Sequence, residues 1–274
     1  MMNRQGSILI FTLWVLLILA ILSVVLSHRA STDVKLAKYE ADNIKATYLA
    51  RAGVMKMLVE LAKDTNSYDS LNEDWNRTEH NPKKLILRDN AVLYGASDES
   101  ARLNLNSSTL KKEYLVNFGI DDAFAQKIVD YKIGKGNKGF EFMEELFLVE
   151  GMTHEKYSAI EDSLTIYRGQ DSQININTAS SSVLEAIIED SALAQEVLDY
   201  RKGPDGEGGT DDDGIFKNAS DISVINGLDP ALFTVKSGVF RIWAQTFLSG
   251  EKEIIKTIEA VADRIGKIYH WKEY

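Results

Sequence analysis

The chain opens on an unbroken apolar stretch and then changes its period. Between residues 7 and 27 nothing is charged, and Leu, Ile, Val, Phe, Trp and Ala make up nearly all of the run. As a helix it spans roughly 30 Å, about one hydrocarbon core. Beyond it, Val34, Ala37, Ala41, Ile44, Tyr48, Ala52, Met55, Val59 and Ala62 recur at spacings of three and four, one face of a helix. Lys35, Lys38, Glu40, Asp42, Lys45 and Arg51 fall mostly on the other faces. No proline interrupts residues 7–64, so one rod of ~85 Å is expected, greasy all round in its first half and one-sided in its second. The outer stripe Ile44, Tyr48, Ala52 and Met55 is expected to lie against the protein's own sheet. A membrane anchor followed by a separate helix fits the same pattern.

After a polar segment, Leu85 and Leu87, then Val92 and Tyr94, predict two short strands around a turn at Asp89-Asn90. Residues 239–248 and 253–264 are rich in β-branched and aromatic residues, and 268–271 offers a third strand; a terminal antiparallel meander is expected. Between these strand patterns the chain repeats itself. Asn104 and Asn106 correspond to Asn175 and Asn177, Ala125 to Ala194, and Phe140 to Phe216. The matched segments AQKIVDYK and AQEVLDYR make this a duplication, with seven extra residues in the second copy. Each copy reads as a short strand or turn followed by helices.

Composition narrows the function. A net charge of -10 argues against a general nucleic-acid binder, because phosphate contacts need clustered Lys and Arg. The absence of cysteine removes thiolate metal sites, thiol nucleophiles and disulfides. His28, His80, His154 and His270 show no metal-ligand spacing, and residues 134–139 lack the Gly-Lys-Ser/Thr ending of a P-loop, so no enzyme is read here. The extra residues of the second copy fall in the loop 203–214, which carries Asp205, Glu207, Asp211, Asp212 and Asp213 among glycines. These hard oxygens form a candidate calcium site, with Asp205, Asp211 and Asp213 preferred and Glu207 and Asp212 as substitutes; a solvated acidic loop is the alternative. Arg4 before the span, against His28, Arg29, Lys35 and Lys38 after it, leaves the membrane orientation undecided by charge.

The short polar start, with Gly6 directly before Ser7 and the apolar run, resembles a prepilin leader. The repeats resemble helix-hairpin-helix units, with turns at Gly119-Ile-Asp121, Gly151-Met-Thr153 and Gly227-Leu-Asp229. In each turn the second glycine of that motif is replaced, twice by an acid that would repel phosphate. Together with YDSLNEDWN (68–76), ARLNLN (101–106), ININTAS (174–180) and IYHWKEY (268–274), these features resemble the type II secretion minor pseudopilin K family, general secretion pathway protein K. The resemblance covers essentially the whole chain. It implies an α+β fold: a long N-terminal membrane and pilin helix on a small antiparallel sheet, with a large duplicated helical domain inserted between strands. The implied divisions are a leader over 1–6, a transmembrane part over 7–27, a periplasmic helix over 28–66, a sheet from 67–102 and 236–274, and an insert over 103–235.

The resemblance also implies cleavage by a prepilin peptidase between Gly6 and Ser7, methylation of the new N-terminus, and an inner-membrane anchor with the bulk of the chain in the periplasm. The implied partners are the other minor pseudopilins of the tip complex and the inner-membrane secretion platform, with no nucleic acid. If Ser7 is first, the fifth mature position, usually Glu in pilins, is Phe11, which suits a subunit with no neighbour above it to pair with a carboxylate. Two other readings stay open: a membrane-anchored helix-hairpin-helix DNA receptor of the competence type, and a minor pilin of a type IV pilus.

Overall fold

A helix of 60 residues, α1 (Arg4–Lys63), runs without a break from the apolar start to the first turn of the folded body. The computed structural model describes residues 4–168, 171–208, 210, 212–249 and 253–274. Among these, α1 is the one helix long and apolar enough to cross a membrane. At 1.5 Å per residue it measures about 90 Å. From Ile8 onward its first half is exposed on every side, Phe11, Trp14, Leu16 and Val24 included.

The second half of α1 lies on a five-stranded antiparallel sheet. Strands β1 (Lys83–Leu87) and β2 (Asn90–Asp98) form a hairpin whose turn holds Arg88 at φ 57. The sheet order is β1-β2-β7-β8-β9, with all neighbours antiparallel. The last three strands form the expected meander: β7 (Val239–Phe247), β8 (Lys256–Asp263) and β9 (Ile268–Glu273). Everything between β2 and β7 is a separate body that enters and leaves at one end of this pair.

The face of α1 that meets the sheet corrects the stripe expected above. Ile44, Tyr48 and Met55 point to solvent, with Tyr48 66% exposed, and Ala52 is half-buried. The buried positions are instead Ala46, Ala50, Val54, Met57 and Leu61, against Val92, Phe240, Ala244 and Ile258. The reason is steric. Small residues let helix and sheet approach closely, and Gly53 marks the tightest point: a Cβ there would come within 2.7 Å of Val92 Cγ1 and 2.9 Å of Ala244 Cβ. The bulky stripe is left on the outside.

The inserted body has its own core, built from both copies of the duplication around Leu105, Leu115, Ile128, Leu146, Ile176, Leu184 and Phe216. The first copy begins at β3 (Leu103–Asn104) and contains α2 (Lys112–Asn117), α3 (Asp122–Lys135) and α4 (His154–Ile160). It closes with β4 (Leu164–Thr165), paired in parallel with β3. The second begins at β5 (Ile174–Asn175), contains α5 (Ser181–Ile188) and α6 (Ser191–Lys202), and closes with β6 (Phe233–Thr234), parallel to β5. Helices α2 and α5 pack across the boundary, where Asn117 Nδ2 donates to Ala186 O at 3.0 Å.

Candidate functional site

The duplication shows in matching hydrogen bonds of the two copies. Asn106 accepts from Phe140 N at 2.7 Å and donates back to Phe140 O at 2.9 Å; Asn177 does the same with Phe216 at 3.0 and 2.9 Å. Each amide thus completes a two-bond backbone bridge between the start of its repeat and the segment after the long helix, satisfying buried groups that would otherwise be costly. Tyr131 tilts against Phe140 and Tyr200 against Phe216. Gln126 donates to Asp130 and Gln195 to Asp199. The turn glycines Gly119, Gly151 and Gly227 all adopt positive φ, between 82 and 101°, a region that favours glycine.

The two copies diverge at their first asparagine. Asn104 donates to Asp171 O, between the repeats. Asn175 is fully buried and donates to Asp98 Oδ2 at 2.9 Å, Ser237 Oγ at 2.7 Å and Asp69 O at 3.2 Å. Asp98, at the end of β2, also accepts from Thr178, Ser237 and Ser100 N. Asp69 accepts from Ser237 N at 2.7 Å and pairs with Arg264, which reaches Leu61 O and Asp64 as well. This polar joint fastens the insert to the end of α1 and the sheet. Burial raises both carboxyls, Asp69 to about 6 against the pull of Ser237 and Arg264, and Asp98 against that of Ser237 and Thr178. The motif ININTAS gave Asn175 as part of a signature. Asp98, Ser237 and Arg264 carry no local sequence signal, because their partners are distant in the chain.

The predicted site residues fall in separate places. Gly6 and Ser7 lie in the first turns of α1. In the acidic loop, Asp212 Oδ2 accepts from Asp205 N at 3.1 Å, and Thr210 Oγ1 donates to Asp212 and Asp213. Glu207 N donates to Asp205 Oδ1. Asp211 lies outside the described residues. The donor chemistry fits calcium, and Thr210 links Asp212 to Asp213, but no three loop carboxylates among the described residues offer oxygens all within 4.8 Å of one another. Among the described residues, the three carboxylates whose oxygens lie within 4.8 Å of one another are Asp64, Asp69 and Glu73. There Arg264 already supplies the cation.

The architecture is a long helix, apolar and exposed in its first half, packed by its second half on an antiparallel sheet that carries a helical insert. Residues 174–236, the second repeat from β5 to just past β6, match the family model of type II secretion system (T2SS) protein K. A chain in the crystal structure of the GspK-GspI-GspJ complex from the enterotoxigenic Escherichia coli type 2 secretion system shares the fold. Its TM-score is 0.59 at 15% sequence identity, over 90% of this chain and 99% of that one. No curated protein matches in sequence. The likeness to type II secretion protein K rests on sequence in the second repeat, and the likeness to a chain of that complex on fold over nearly the whole chain.

Proposed function

We propose that this protein is a minor pseudopilin at the tip of a type II secretion pseudopilus, where it helps to start assembly and so supports protein export. The observation that carries this reading is the fold shared over nearly its whole length with a chain of the GspK-GspI-GspJ complex. In this reading α1 anchors the protein in the inner membrane after a prepilin peptidase cuts between Gly6 and Ser7, and the folded body lies in the periplasm. Two features support it. Arg264 ties the polar joint to the C-terminal end of α1, so the insert hangs from the end opposite the apolar run and would obstruct a subunit stacked beyond it. Ile44, Tyr48, Met55 and Val59, all exposed, give α1 a second apolar face for the helices of other minor pseudopilins. Calcium bound by the acidic loop, through Asp205, Asp211 and Asp213 with Glu207 and Asp212 nearby, belongs to the same proposal. No catalytic role is assigned.

The test is co-purification of the full-length chain with the other minor pseudopilins of its own system. The wild type should retain them, and Tyr48→Glu combined with Met55→Glu should lose them while the body stays folded. Retention of partners by that variant would remove the outer stripe from the interface, and failure of the wild type to retain any would overturn the assignment.

A further inference from the structure

The two copies of the duplication differ most where their long helices end. In the second, the loop 203–214 is drawn back onto the end of α6. A Cβ on Gly203 would fall 2.2 Å from Asp212 O, and one on Gly214 2.1 Å from Tyr200 O. Arg201, in the last turn of α6, is buried there and donates to Ala179 O at 2.6 Å. Burial lowers Arg201 to about 10, and the charge of Asp213 pulls the other way. The loop that the second copy gained therefore brings a carboxylate of its own to a buried cation.

In the first copy the loop is shorter and the same place is open. Lys132 stands where Arg201 does in the matched segments AQKIVDYK and AQEVLDYR, and it makes a similar bond, to Ser107 O at 2.6 Å. Beside it is a pocket of about 260 Å³, lined by Asn106, Ser108, Lys132, Lys138 and the glycines Gly136 and Gly139. No carboxylate among the described residues lines this pocket, in a chain whose net charge is -10. Lys135 turns away from it to Glu145, at 2.8 Å. Lys132 is half-buried and has two further N–H groups to give. Lys138 holds no ion pair among the described residues, and Ser108 adds a hydroxyl where the second copy has Ala179. The second copy shows what such a cation meets when the chain can supply it: a carboxylate.

We propose that this pocket of the first repeat receives a carboxylate side chain from a neighbouring subunit, in the role that Asp213 fills within the second repeat. That the donor is a neighbouring subunit rests on the function proposed above; the preference for a carboxylate does not. Two ammonium groups and a hydroxyl can share the two carboxylate oxygens through charge-assisted hydrogen bonds. The extra residues make the second copy self-contained and leave the first open to a partner.

The experiment titrates the full-length protein, in detergent micelles and calcium-free buffer, with the capped tripeptide Gly-Asp-Gly, followed by calorimetry and NMR. Capped Gly-Asn-Gly and inorganic phosphate serve as comparators. The aspartate peptide should bind with Kd on the order of millimolar, as suits a single side chain, and the asparagine peptide should not. Binding should move the amide resonances of Gly136 and Gly139. Lys138→Gln should weaken it several-fold at an unchanged melting temperature, because Lys138 holds no ion pair in the fold, and Lys138→Glu should abolish it. Lys132→Gln should weaken it as well; should that variant disturb folding, the two Lys138 variants carry the test. Equal binding of both peptides, unmoved glycine resonances, or binding indifferent to Lys138→Glu overturns the proposal. So does binding of phosphate without binding of the aspartate peptide, which would give the pocket to a phosphate-bearing partner instead. Because the probe is a free peptide, failure of the tip assignment leaves the result on the pocket standing, and the reverse holds too.

Discussion

Asn175 Nδ2 lies 2.9 Å from Asp98 Oδ2, a bond between residues 77 positions apart that joins the second repeat to the end of β2. The equivalent asparagine of the first repeat, Asn104, donates instead to Asp171 O in the segment between the repeats. One inherited motif thus serves two purposes, closing a repeat in one copy and docking the whole insert in the other. Asn175→Ala leaves Asp98 with one donor fewer in a fully buried setting, and should cost about 1–3 kcal/mol. Asn175→Asp places a second carboxylate against Asp98 and should cost more. Denaturant midpoints of the two variants check the order.

The glycines of the first repeat's loop provide a matched pair. Gly136 and Gly139 have φ of 60 and 59°, but a Cβ on Gly136 meets nothing within 4 Å, whereas one on Gly139 would fall 2.2 Å from Asn106 Oδ1. Gly136→Ala should cost about 1–3 kcal/mol from backbone strain alone. Gly139→Ala should exceed it, because the Asn106–Phe140 bridge must open. Equal melting shifts would remove that bridge from the account of stability.

Acid should cost stability through Glu145. This carboxylate is desolvated by burial, which raises it, yet Lys135 at 2.8 Å, the N–H groups of Glu141 and Phe142, and the Tyr131 hydroxyl lower it to about 2. A depressed acid stabilises the fold above its unfolded value near 4.5, and that share is lost as pH falls from there toward 2. Glu145→Gln should therefore be less stable at pH 7 and show a flatter profile between pH 5 and 2.5. Thermal melting across that window decides it.

Calcium should order the acidic loop. With Asp205, Glu207, Asp211, Asp212 and Asp213 so close in sequence, a divalent ion removes mutual repulsion, and stabilisation should grow by about 1.4 kcal/mol per tenfold excess over Kd. Melting of the full chain with calcium and with chelator tests this; an unchanged midpoint in both leaves the loop a solvated one.

Processing gives the last test. N-terminal sequencing of the membrane-extracted protein should begin at Ser7, and Gly6→Leu should leave the precursor uncut. A start at Met1, or one beyond residue 27, rejects the leader.

The long helix, the meander and the duplication were legible because each rests on a local pattern: an uncharged run, alternating strands, or a segment such as AQKIVDYK met twice. The sheet-facing side of α1 was not. Hydrophobicity favours the bulkier stripe of Ile44, Tyr48 and Met55, while close helix–sheet packing selects the smaller Ala46, Ala50 and Gly53. Nor was the polar joint legible, since Asp98, Ser237 and Arg264 are ordinary polar residues until folding brings them together.

The place of the insert also bears on the order of events during folding. β2 and β7 are neighbours in the sheet, yet Asp98 and Ser237, at their facing ends, are 139 positions apart. Closing so long a loop from an open chain is entropically costly and slow. Once the insert has folded, its two ends lie side by side, with Gly238 N bonded to Ser100 Oγ at 3.2 Å. The strands then meet as if across a tight turn. The insert is, in kinetic terms, the turn of a hairpin, and a chain whose insert is already folded should complete the surface under α1 faster than an open one.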